Sequence, residues 1–211
     1  MKENFFHKAP ECKWADMTKI EIRKIASARE WKNLLRLYRR AFPRSERKSP
    51  LILLTTWRSR KADIWYAEET FLRGTKIHKR FLGFAATLNG ENAILLDYLA
   101  IRKGKRGKGA GSLFLKFLMD SYPEKGFFVE IESIYDGDTT NLTERMKRRD
   151  FYIKNGLTAL RVVADVFGVQ MELLGKNMTI DFKGYNDFYR YNYSAYAANH
   201  VTEIPSPEKY L

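Results

Sequence analysis

Residues 102–111 read RKGKRGKGAG, five cationic side chains and four glycines in ten positions. An apolar run, AILLDYLAI, leads into this stretch, and SLFLKFLMDSY, with apolar residues at helical spacing, leads out of it towards Pro123. Strand, glycine-rich loop, then helix is an arrangement in which backbone N–H groups and a helix N-terminus together hold phosphate. Gly107, Gly109 and Gly111 alternate and leave room for a ligand to approach the backbone. A helix starting near Gly111 and Ser112 turns its positive dipole end towards the anion. Arg102, Lys103, Lys105, Arg106 and Lys108 add charge for further phosphates.

Two familiar phosphate loops do not fit. A P-loop requires Lys-Ser/Thr after its second glycine, whereas Gly109 is followed by Ala110 and Gly111, so no magnesium ligand is supplied. The dinucleotide fingerprint requires Gly-x-Gly-x-x-Gly, and this run is Gly-x-Gly-x-Gly.

The rest of the chain narrows the class. With 211 residues and 45% hydrophobic composition it can bury one sizeable core. A net charge of +13 points to anionic partners: nucleic acid, membrane headgroups or a phosphorylated cofactor. Cys12 is the only cysteine, which excludes an intrachain disulfide and suits a reducing compartment. His7, His78 and His200 lie far apart, so no metal site is expected. The N-terminal stretch lacks an apolar signal region and no run reaches membrane-spanning length, so a cytoplasmic protein is expected.

Element signals follow in order. KIEIRKIAS alternates as a strand, and Ser27 with Glu30 forms a capping box before the helix AREWKNLLRLYRRAF, which ends before Pro43. LILLTTWRSR reads as a short helix rather than a strand. ADIWYAEE, RFLGFAATLNG and AILLDYLAI read as strands, the last two joined by an Asn-Gly hairpin. GFFVEIES is a further strand, TTNLTERMKRRDFYIKNG a second long helix ending at Gly156, and TALRVVADVF and VQMELLG two more strands around Gly168. The boundaries expected are an N-terminal extension over 1–17, one domain over 18–176 and a docked aromatic extension over 177–211. That extension holds five tyrosines within twelve positions.

The loop does satisfy Arg-x-x-Gly-x-Gly, through Arg106, Gly109 and Gly111, and RRDFYIKNGL lies about forty residues later. In both motifs, and in element order from about Lys19 to Gly175, the chain resembles the GNAT superfamily of N-acetyltransferases. The resemblance implies an α/β (α+β) fold with a mixed, mostly antiparallel central sheet of six to seven strands. Helices would flank both faces, and the sheet would splay after its fourth strand. It implies acetyl-coenzyme A as co-substrate. The amides of Arg106, Gly107, Lys108, Gly109, Ala110, Gly111 and Ser112 would lie at its pyrophosphate, and Leu99, Ala100 and Ile101 along its thioester and pantetheine arm. Arg145 stands where many relatives carry an asparagine that contacts the cofactor, so either Arg145 or Asn141 is expected there.

Acetyl transfer needs the amine deprotonated and the leaving thiolate protonated. The resemblance assigns the second task to Tyr152. For the base, Asp97 is placed on the same strand face as Leu99 by its two-residue separation, and Glu130 and Glu132 share a face of the next strand. Asp97 and Glu132 are the candidates. The expected acceptor is a primary amine on a small molecule, antibiotic or peptide, acetylated by direct attack in a ternary complex. Arg44 and Arg47 in FPRSER would read an anionic group on it. Two other readings stay open: a nucleic-acid-binding module using the basic loop and tyrosine-rich tail, and a non-catalytic sensor of acetyl-coenzyme A. Coenzyme A already accounts for the clustered cations, so nucleic acid and membrane are not expected partners; the protein is expected as a monomer or homodimer.

Overall fold

The computed structural model describes residues 19–44, 47–73, 75–137 and 140–205. The expectations for the extension over 1–17, for His7 and Cys12, and for part of FPRSER lie outside the described residues. The chain opens with β1 (Lys19–Lys24) and α1 (Ala28–Ala41). The junction is the capping box expected from sequence. Ser27 Oγ accepts from the Glu30 N–H at 3.3 Å, while the Glu30 carboxylate accepts from the Ala26 and Ser27 N–H groups at 2.8 and 3.2 Å. Arg23 adds a 2.7 Å ion pair to the same carboxylate. Ser27→Ala is therefore expected to lower stability by ~1 kcal/mol, read by thermal unfolding.

After α2 (Pro50–Arg58), a meander of β2 (Ala62–Arg73), β3 (Lys76–Asn89) and β4 (Ala93–Ile101) leads to α3 (Ala110–Asp120) and β5 (Gly126–Glu132). α4 (Leu142–Lys154), β6 (Thr158–Val166) and β7 (Val169–Lys176) follow, and then α5 (Phe182–Asn192), α6 (Ala195–Asn199) and β8 (Val201–Glu203). All eight strands join one sheet in the order β1-β2-β3-β4-β5-β7-β6-β8. Among the described residues only β4 and β5 run parallel, joined by the α3 crossover. The sheet thus exceeds the six to seven strands expected. The extra strand is β8, three residues that pair with β6 and are too short to show alternation. β2 and β3 also run beyond their apolar segments: their outer ends pair through Arg73 and Lys76, where Ile77 is 73% exposed.

Helices cover both faces. One core packs α3 and α4 against the sheet through Phe114, Leu115, Leu118 and Tyr152, with Ile94, Leu96 and Ile131 from the strands. On the other face α1 and α2 pack over Phe84, Tyr98 and Ala100, and α5 and α6 over Leu95, Phe128 and Leu173. No described helix is long and apolar enough to cross a membrane.

The sheet opens in its middle. β4 pairs with β5 only from Ala93 to Leu96, against Gly126 to Val129. Beyond that point Tyr98–Ile101 stay on β3 while Glu130–Glu132 stay on β7. The two central strands diverge into a wedge, as expected after the fourth strand.

Candidate functional site

The basic loop stands at the wide end of this wedge. A single 3-10 turn, Lys103–Lys105, leaves β4, and the chain then passes through Gly107 and Gly109, both at positive φ (+72° and +77°). Gly109 caps α3 without any side-chain bond. The helix starts at Ala110, one residue ahead of the sequence reading. The first bond into α3 runs from Leu113 N–H to Gly109 O at 3.0 Å. Among the described residues, the N–H groups of residues 107–112 make no hydrogen bond. They form a cluster of free donors at a helix N-terminus, the chemistry that binds phosphate oxygens.

The five cations divide by role. Lys105 donates to Glu69 at 2.8 Å, and Arg80 donates to the same carboxylate at 2.5 Å, with Glu69 only 3% exposed. The Arg106 Nε–H reaches the Ile101 carbonyl at 2.9 Å, and Arg102 donates to the Phe81 carbonyl at 3.1 Å. Lys105 is therefore a brace for the loop rather than the phosphate contact that sequence reading assigned to it. Lys103 and Lys108 remain exposed. Burial pushes the Glu69 carboxyl up, but Lys105 and Arg80 together hold it below its ordinary range. Its contribution is present above the ordinary carboxylate pKa and is lost as pH falls through the lowered one. Glu69→Gln is expected to cost about 2 kcal/mol and to loosen the loop, seen as faster hydrogen exchange at residues 103–109.

The wedge side of β4 is built by alternation. Arg102 N–H bonds Leu82 O across the β3–β4 ladder at 3.0 Å. Successive residues of a strand turn their N–H groups to opposite sides, so Ile101 and Leu99 present theirs to the wedge, where β5 has turned away. Ala100 faces the α1 core. One residue upstream the register shifts: Ala86 pairs with Tyr98 but Thr87 with Leu96, which leaves Asp97 as a bulge. The bulge overturns the expectation that Asp97 and Leu99 share a face. Leu99 packs on the α3 side, while Asp97 joins Tyr98 and α5 on the opposite side.

Three carboxylates line the opening, each in a different setting. Asp97 Oδ1 accepts from the Lys48 ammonium at 2.6 Å and from the Tyr193 hydroxyl at 3.2 Å. Glu132 Oε2 lies 3.3 Å from Arg145 Nε and 3.8 Å from Arg148, and accepts from Asn141 Nδ2 at 3.2 Å. Glu130 Oε2 accepts from the Tyr189 hydroxyl at 2.9 Å, and its Oε1 is shielded from water without a hydrogen-bond partner among the described residues. Burial pushes the Glu130 carboxyl up to about 7, partly opposed by the Lys48 charge and the Tyr189 bond. Glu130 and Glu132 therefore serve different elements, α5 and the start of α4.

Asn141 and Arg145, the two candidates for the cofactor contact, are tied to this framework. Asn141 caps α4 without a side-chain cap bond, its amide given to Glu132. Arg145, 5% exposed, donates to the Ser133 carbonyl at 3.1 Å and pairs with Asp136 at 3.4 Å. Tyr152 is buried in the α3–α4 core beside Phe151, their ring centroids 5.1 Å apart. Its hydroxyl has no hydrogen-bond partner among the described residues. Burial pushes this phenol up to about 12, so it keeps its proton at neutral pH. Arg47 Nε donates to the Pro43 carbonyl at 3.3 Å.

Sequence reading did not foresee that Lys48, Tyr189 and Tyr193 would meet Asp97 and Glu130. The five-tyrosine tail and the two strand glutamates were the available signals; only the tertiary fold joins them. No group of three potential metal ligands occurs among the described residues.

Solved structures share this architecture. An acetyltransferase of the GNAT family from Bacteroides thetaiotaomicron superposes with a TM-score of 0.60 over 84% of this chain and 98% of its own, at 15% identity. The chain has the GNAT fold. An aminoglycoside 6'-N-acetyltransferase complexed with coenzyme A shares the GNAT fold at a TM-score of 0.55, covering 74% of this chain and 96% of its own at 14% identity. The ribosomal-protein-S18-alanine N-acetyltransferase from Escherichia coli gives 0.51, covering 77% of this chain and 96% of its own at 12% identity. No family model matches the sequence, and no curated protein is similar to it at the sequence level.

Proposed function

We propose that the protein is an N-acetyltransferase that moves an acetyl group from acetyl-coenzyme A to a primary amine by direct attack. The observation that carries this reading is the union of a free-donor helix N-terminus with a wedge between parallel strands. The amides of residues 107–112 hold the pyrophosphate, with Lys103 and Lys108 free for further phosphate charge. The Leu99 and Ile101 N–H groups face the space where the acyl carbonyl lies, and a fixed donor there stabilises the oxyanion as it forms.

The proton roles follow from the settings of the side chains. Glu130, bonded by Tyr189 and with its pKa near neutrality, takes the proton of the acceptor amine in place of Asp97 or Glu132. Asp97 holds positive charge where β4 and β5 part, and Glu132 with Asn141 and Arg145 secures the start of α4. Tyr152 keeps its proton at neutral pH and gives it to the departing thiolate. Purified protein supplied with acetyl-coenzyme A and a panel of primary amines is expected to release thiol only when a suitable amine is present. Binding of acetyl-coenzyme A with no amine-dependent thiol would leave a sensor instead of an enzyme.

A further inference from the structure

The point where β4 and β5 part already holds a primary amine. Lys48, on the segment between α1 and α2, has its backbone pinned from two sides: its N–H donates to Tyr98 Oη at 3.3 Å, and its carbonyl accepts from Tyr38 Oη at 3.1 Å. Its ammonium is held by Asp97 and the Tyr193 hydroxyl, and lies over the Tyr193 and Tyr98 rings at 4.2 and 5.5 Å from their centroids. Cation–π and ionic contacts together fix that nitrogen in place. The side chain is still 28% exposed.

Around it lies a buried polar cluster. Glu130 Oε1 and the hydroxyl of Tyr185, a residue 0% exposed, are both shielded from water and act on one another. Geometry links Glu130 to Lys48: Tyr189, which donates to Glu130 at 2.9 Å, has its ring centroid 5.0 Å from that of Tyr193, which holds the Lys48 ammonium. Lys105 is paired with a buried carboxylate at the same exposure but has no tyrosine around its ammonium among the described residues, and Lys116, Lys147 and Lys183 sit in exposed pairs on helix surfaces.

We infer that Lys48 occupies the acceptor position of this site and that its Nζ is acetylated by the acyl thioester the same chain binds. This rests on the acetyltransferase reading above. The ammonium gives one proton to Glu130; Nζ then forms a bond to the acetyl carbon as the carbon–sulfur bond breaks. The second proton lost from nitrogen leaves with the sulfur as the thiol. The product amide carries no charge, so the Lys48–Asp97 ion pair is lost and the point where β4 and β5 part is released for an external amine.

The test uses the full chain with acetyl-coenzyme A alone, followed by peptide mass spectrometry and, in parallel, calorimetric titration of the same protein with acetyl-coenzyme A. The expected result is one acetyl group on Lys48, with a rate constant independent of protein concentration. Labelling is absent in Lys48→Arg, which keeps the ion pair, and slowed ~100-fold or more in Glu130→Gln, with both variants folded by circular dichroism. Binding without Lys48 acetylation, or labelling spread evenly over surface lysines, overturns this inference and leaves the proposed function standing. No binding at all overturns both.

Discussion

Glu130→Gln is expected to lower kcat for amine acetylation by ~10²–10⁴-fold, the usual worth of a positioned general base. Affinity for acetyl-coenzyme A should hardly change, because the loop amides lie on the other side of the wedge. The substitution keeps the shape of the side chain and the acceptor that Tyr189 uses at 2.9 Å. It removes the carboxylate's ability to take up a proton. Asp97→Asn instead releases the Lys48 ammonium, so it should disturb acceptor binding as well as rate.

The same substitution has a signature in stability. Burial raises the Glu130 carboxyl from its ordinary 4.5 to about 7. Its neutral form is the favoured one in the fold, so its contribution is complete below the ordinary carboxylate pKa and declines as pH rises through about 7. Each unit of difference corresponds to about 1.4 kcal/mol. Denaturant unfolding of the wild type should therefore weaken between mildly acidic and neutral pH, and Glu130→Gln should flatten that slope. In activity the sign is opposite: the base must be ionised, so kcat/KM should rise to a plateau above about pH 7.

Gly109→Val is expected to weaken acetyl-coenzyme A binding by ~10–100-fold while the protein stays folded, matching the ~1–3 kcal/mol of a forced left-handed backbone. Gly109 holds φ +77° at the cap of α3, and a Cβ there meets nothing within 4 Å. The cost is thus one of backbone conformation, not of collision with the core. A β-branched residue moves out of that region and rotates the amides of residues 107–112 away from a common point. Lys108→Ala should be milder, since it removes one exposed charge and leaves the amides in place. Calorimetric titration of the two variants checks the ranking.

Local signals account for what the sequence made legible. Ser27 and Glu30 announced α1 because a capping box is satisfied within four residues. The basic loop could be read as a phosphate cradle because glycine spacing and the flanking β and helical periods are all contiguous in the chain. The wedge itself followed from the resemblance, with the strand pairing bearing it out. The side-chain settings of the candidate site were another matter. Asp97 was assigned to the wrong face because one bulged residue reverses strand alternation, and a bulge leaves no mark in a run such as LLDYLAI. Glu130 and Glu132 look alike in FFVEIES, yet Arg145 reaches one and Tyr189 the other, from elements 13 and 59 residues away. Lys48 was one cation among many until three tyrosines from distant segments closed around it. β8 escaped notice because three residues hold a sheet edge through backbone bonds alone.

The central claim is that the loop at residues 102–112 and the adjoining wedge hold an acyl-coenzyme A. Calorimetric titration of the purified protein with acetyl-coenzyme A, with ATP as the control anion, tests it most directly. Saturable binding of acetyl-coenzyme A, weakened in Gly109→Val and not reproduced by ATP, is the predicted result. No binding at low salt, or equal binding of both ligands, would contradict it and leave the GNAT fold here without its acyl donor.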